Sequence, residues 1–176
     1  MGSRGLFWQA FGAQFVICGW ILLKIFLLPY LIYKWLGASP LASKIGDLSV
    51  LALGTLAAVT MAFIGYLHAS RFGQDSIVKT ALVSTGLVHI PLFLFLLYKW
   101  VFGSAWDTYW TLYLSGWLSI VTHPMILVGF YGKWVDLIGT ILLCGCYLTG
   151  IWMYYDDHKD FTVRRIPSER RFQSRP

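Results

Sequence analysis

Charge is scarce in this sequence. Of its 176 residues only 12% are Asp, Glu, Lys or Arg, where a soluble domain carries about 25%. A water-soluble globule with half the usual charge could not keep its surface wet, so lipid must cover much of the chain. Acid is scarcer still, with eight Asp and Glu in all and Glu169 the only glutamate. Membrane hydrolases and isomerases gather His, Asp and Glu at one depth, and no such set occurs here. A small lipid-modifying enzyme is therefore the weakest functional alternative, and no residue is assigned a catalytic role. Cysteine is limited to Cys18, Cys144 and Cys146, all inside apolar runs, which excludes a disulfide framework. Cys144-Gly145-Cys146 has the wrong spacing for a redox or zinc motif. Long polar loops are missing as well, which leaves no room for a soluble domain.

What fills the chain is apolar. Hydrophobic residues make up 57% and aromatic residues 18%, and the rings cluster beside charges at segment ends, where amphipathic rings settle at headgroup level. The net charge of +6 lies mostly in the last fifteen residues and in short loops. That distribution fits topogenic charge and not a nucleic-acid partner. Arg4 is a lone charge before an apolar stretch too long for a signal peptide, and Leu6 stands where a myristoylation motif needs Ser or Thr. Neither a cleavable signal nor lipidation is expected.

The expected fold is an all-α integral membrane protein, a bundle of five transmembrane helices within 1–161, followed by a disordered basic tail over 162–176. A span needs about 20 mostly apolar residues, which places spans at about 13–36, 47–69, 77–102, 108–131 and 134–155. The first is the difficult one, because the apolar stretch from Leu6 to Leu36 contains Lys24 and Pro29. A tilted span from Ala13, preceded by an interfacial turn, is preferred to a shorter one bent at Pro29. Lys24 is expected to snorkel. Asp47, Asp107 and Asp136 are read as residues opening the second, fourth and fifth spans at the positive helix end.

Five spans put the termini on opposite sides. With the C-terminus inside, Lys34, Lys44, Lys99 and the six basic residues after position 158 face inward, while Arg4, Arg71, Lys79 and Lys133 face outward. Nine against four satisfies the positive-inside rule. Leu31-Ile32-Tyr33-Lys34-Trp35 and Leu96-Leu97-Tyr98-Lys99-Trp100 are near copies expected at one face.

His89 and His123 are the candidate haem b axial ligands. They fall in the third and fourth spans, which are expected to be antiparallel neighbours presenting both imidazoles at similar depth. The bland alternative is that each bonds a neighbouring helix near the carbonyl freed by Pro91 or Pro124. His68 and Arg71, with Asp75, form a candidate site for a quinone or lipid headgroup. His158 lies among acidic residues in an exposed turn and is not read as a metal site. Small residues recur at Gly54, Ala58 and Ala62, and again at Cys146 and Gly150, marking packing faces.

The leading functional expectation is a structural or accessory subunit of a larger membrane complex, with other membrane subunits as partners. A respiratory-type assembly in the mitochondrial inner membrane is one setting that uses such subunits. The alternative is a redox membrane anchor holding haem b between His89 and His123, with a quinone near His68.

Overall fold

The computed structural model describes residues 3–72, 76–102, 109–132 and 134–158, and all regular structure among them is helical. The helices are α1 (Ser3–Leu22), α2 (Leu28–Leu36), α3 (Pro40–Phe72), α4 (Ile77–Phe102), α5 (Tyr109–Leu127) and α6 (Val135–Asp157). A π-helical turn at Leu23–Leu27 joins α1 to α2, so the two form one rod and the described residues make five rods. Four of them are long and apolar enough to cross a membrane: Ala10–Leu36, Pro40–Arg71, Ile77–Val101 and Val135–Asp157. The fifth rod, α5, interleaves Trp, Tyr, Ser, Thr and Gly with its aliphatic residues and is not among the four.

The first rod has no interfacial turn before Ala13; it is helical from Ser3. Pro29 supplies no N–H and its ring crowds the carbonyl one turn back. The helix absorbs this by widening, with the Leu28 N–H donating to the Leu23 carbonyl five residues earlier. The rod ends at Gly37, whose φ of +61° closes the turn. Ser39 then caps α3, its hydroxyl accepting from the Ala42 N–H at 3.2 Å, with Pro40 in the first turn. The helix thus starts seven residues before Asp47, which lies inside it and opens nothing. Asp136 does sit in the first turn of α6, and Asp107 lies outside the described residues, as does the tail 162–176.

Helix directions follow from pairs of contacts. Along α4 and α6, Lys99 meets Asp136, His89 meets Tyr147 and Thr80 meets Tyr155, so these two are antiparallel. Along α3 and α6, Gly150 sits on Ala62 and Tyr154 on Tyr66, so these are parallel. The first rod turns into α3 at Gly37–Ser39 and its opposite end lies beside Ile64–Arg71, which makes them antiparallel. Along α1 and α5, Gln14 meets Tyr113, Ile21 meets Gly116 and Lys24 meets Ser119, so these are parallel. It follows that α4 and α5, consecutive in the chain, run in the same direction. This overturns the expected antiparallel pair. The Lys99–Asp136 ion pair and the edge-on Trp100–Trp134 contact tie the end of α4 to the start of α6. A fully alternating set of five spans would hold those two at opposite faces.

The two Tyr-Lys-Trp strings nevertheless share one end of the bundle, because the first rod and α4 are parallel. Lys34 lies over the Tyr30 ring at 5.7 Å, while Lys99 bonds Asp136.

The core is built where α3 meets α6. A Cβ on Gly150 would land on the Ala62 carbonyl, and one on Gly65 on the Tyr147 carbonyl. The two backbones touch there, as small residues permit between membrane helices. Tyr147, Leu143 and Ile151 of α6 are buried against Ala57 and Met61 of α3.

Candidate functional site

Tyr147 is the centre of the buried polar groups. It has no exposed surface, because the close approach of α3 and α6 at Gly65 and Gly150 wedges its ring between neighbours on α3 and α4. His68 Nδ1 and the Tyr147 hydroxyl are 2.6 Å apart, with ring centroids at 5.8 Å and 72°. The His89 ring meets Tyr147 edge-on at 5.4 Å and 76°. Ser84 of α4 lies beside the same hydroxyl and donates its own proton to the Thr80 carbonyl.

His89 is 1% exposed. Its Nδ1 stands 3.2 Å from the Thr85 carbonyl on its own helix, while its Nε2 and the Thr85 hydroxyl have no partner among the described residues. Unpaired polar atoms in a buried place are uncommon and mark sites of water, ligand or function. His123 is placed elsewhere. It is half-buried near the C-terminal end of α5, within the field of Lys24 and Asp47. With α4 and α5 parallel, His89 lies mid-helix and His123 close to a helix end, so the structure does not bring them together at one depth. The sequence argument for a shared haem assumed the alternation that the fold breaks.

His68 and Arg71 are brought together. One helical turn apart, both line a groove of about 290 Å³ between α1 and α3. Its walls are Trp8, Gly12, Ala13, Val16, Ile64 and Leu67. His68 is therefore shared between the buried cluster and an open groove. Asp75, expected beside them, lies outside the described residues.

A second polar group joins the first rod to α5. Lys24, in the π turn, donates to the Ser119 carbonyl at 2.6 Å and to the Ser119 hydroxyl at 2.8 Å. It does not snorkel, because a partner lies within the bundle and the π turn aims the side chain at it. Gln14 donates to the Val88 carbonyl at 2.8 Å and accepts from the Tyr113 hydroxyl at 2.9 Å. The captured carbonyls, of Val88 and Ser119, are chain neighbours of Leu87 and Ile120, whose carbonyls Pro91 and Pro124 leave without a helical donor. Cys18, Cys144 and Cys146 form no disulfide with one another.

Of the cluster around Tyr147, His68 lines the groove and can meet a polar group there, while Tyr147 and His89 are buried. Among the described residues no three His, Cys, Asp or Glu stand close enough to hold a metal ion. Of the residues in these polar groups and the groove, the sequence singles out His68, Arg71 and His89 but not Tyr147, Gly65 or Gln14. A tyrosine three residues before Gly150, on the small-residue face, was the available signal for Tyr147. Comparison with known protein families, with curated proteins and with solved structures finds no match to this chain.

Proposed function

We propose that this chain is a multi-pass membrane protein and an accessory subunit of a larger membrane assembly. The observation that carries the reading is the use of its polar groups at membrane depth. Lys24 holds the first rod to α5, Gln14 joins α1 to α4 and α5, and Tyr147 joins α3, α4 and α6. They lock helix to helix, the role expected of polar residues in packed membrane bundles. The first rod is the least buried of the four long helices. It turns an aromatic ridge of Trp8, Phe11 and Phe15 outward, stacked edge-on in series. Rigid aromatic rings of this kind suit a protein neighbour. The basic stretch after position 158 adds six Lys and Arg with no apolar periodicity, apt for anionic headgroups or an adjoining chain. Blue-native electrophoresis after mild detergent is expected to place the chain in a species far above its own 20.0 kDa. Migration as a lone chain would overturn the assignment.

In this reading four helices cross the bilayer and α5 packs among them without adding a crossing. The start of α1, the end of α3, the start of α4 and the end of α6 share one end of the bundle, so α1 begins and α6 ends on one side. Charge agrees. Assigned along the sequence to the helix end that each adjoins, Arg4, Arg71, Lys79 and the six basic residues after position 158 count toward that side, against Lys34, Lys44, Lys99 and Lys133. The tally is again nine to four, so the positive-inside rule supports an inner C-terminus under either topology. Single cysteines at Ser3→Cys and Ser174→Cys in a thiol-free background are expected to react with an impermeant reagent from the same side, and Ser39→Cys from the other. Labelling of the two terminal positions from opposite sides would restore α5 as a fifth crossing.

A further inference from the structure

We propose that the groove between α1 and α3 holds one anionic phospholipid, its phosphate on Arg71 and an acyl chain against the apolar wall. The site has two parts. The wall is made by Trp8, Gly12, Ala13, Val16, Ile64 and Leu67, which offer only hydrocarbon and an indole. The mouth carries the Arg71 guanidinium, exposed at the last turn of α3, with the buried His68 imidazole one turn below it. Among the described residues no carboxylate lines the groove, and Arg71 makes no ion pair. A guanidinium above an apolar groove, with no counter-ion among the described residues, suits an anion, and its planar fork matches two phosphate oxygens. The amphipathic shape calls for an anion that carries a hydrocarbon tail.

Position in the bundle agrees with a headgroup. Arg71 and Trp8 lie at the end of the bundle where Tyr154 and Tyr155 of α6 also gather. Trp, Tyr and Arg share a level in membrane proteins at the headgroup boundary. Basic pockets between helices on the inner side of a membrane are known to take anionic lipid headgroups. Gly12 makes the groove deep, since a Cβ built there meets no atom within 4 Å. The inference concerns this groove alone and does not depend on the chain being an accessory subunit, so either can fail without the other.

The test uses the full chain in detergent, titrated with vesicles of phosphatidylcholine containing pyrene-labelled phosphatidylglycerol, and native mass spectrometry to count retained lipid. The wild type is expected to retain one phosphatidylglycerol in preference to phosphatidylcholine. Arg71→Gln is expected to weaken retention by roughly tenfold, the effect of one charge-assisted hydrogen-bonded contact. Gly12→Phe fills the groove without touching the guanidinium and is expected to abolish retention. Lys79→Gln, a basic residue at the same end but outside the groove, is expected to leave it unchanged. Equal retention of phosphatidylcholine, equal weakening by Lys79→Gln and Arg71→Gln, or full retention by Gly12→Phe would each overturn the proposal. Because Arg71 is exposed and the Gly12 position is open, neither variant needs the fold to rearrange.

Discussion

Gly150→Ala is expected to cost this protein about 3 kcal/mol or more of stability, the upper range for overpacking a tight contact. The added Cβ would fall on the carbonyl oxygen of Ala62, with the Ala62 carbonyl carbon at 2.6 Å and the Tyr66 nitrogen at 2.9 Å. All three are backbone atoms inside a helix, so no side chain can swing aside to make room. The helices must separate, and every contact along the α3–α6 seam lengthens together. Gly145→Ala, five residues earlier on the same helix, is the control, because nothing lies within 4 Å of its Cβ. There alanine is expected to be neutral or stabilising by about 0.5–1 kcal/mol, through the lost backbone freedom of glycine. Unfolding of both variants in mixed micelles with increasing SDS measures the difference. Equal midpoints for the two would show that α3 and α6 do not pack backbone to backbone.

Tyr147→Ala is the second large effect. Removing a ring with no exposed surface from the junction of α3, α4 and α6 is expected to cost about 3–5 kcal/mol, the range for deleting a buried aromatic side chain. Tyr147→Phe keeps the ring and removes only the hydroxyl that meets His68 Nδ1. Interhelical hydrogen bonds in membranes average about 0.6 kcal/mol and reach about 1.7. The phenylalanine variant is therefore expected to lose about 1 kcal/mol. Volume wins over the hydrogen bond at this position, since the ring supports two helices and the hydroxyl one side chain. The same SDS titration separates the terms. A phenylalanine variant as unstable as the alanine variant would make the His68 contact the dominant one.

Much of this architecture is legible in the residues. The apolar runs after Ser76 and Trp134 give α4 and α6 nearly to the residue, whereas α3 starts at Pro40, seven residues before the Asp47 expected to open it. His68 and Arg71 share a face because they are one turn apart, which any helix imposes. Other features needed three dimensions. Lys24 looks costly in a one-dimensional reading, and Ser119, which satisfies it, is 95 positions away. Tyr147 looks like one of ten tyrosines until Gly65 and Gly150 are seen to bring two backbones together around it. The pairing of His89 with His123 depends on α4 and α5 running antiparallel, and the contacts of α5 with the first rod show that they run parallel.

The helical, strongly apolar character of this chain was determined by the sequence alone, and four of its helices are long and apolar enough to cross a membrane. Twelve per cent charge cannot wet a globule, and backbone polar groups in hydrocarbon must bond within a helix or a closed barrel. The apolar runs here exceed 20 residues, which suits helices and not the shorter strands of a barrel. Helix direction was decided only by the tertiary structure. Hydropathy and charge counts are blind to direction, as the unchanged nine-to-four tally shows. Side-chain contacts are not, and the meeting of Lys99 with Asp136 at one end of the bundle settles how α4 and α6 face each other.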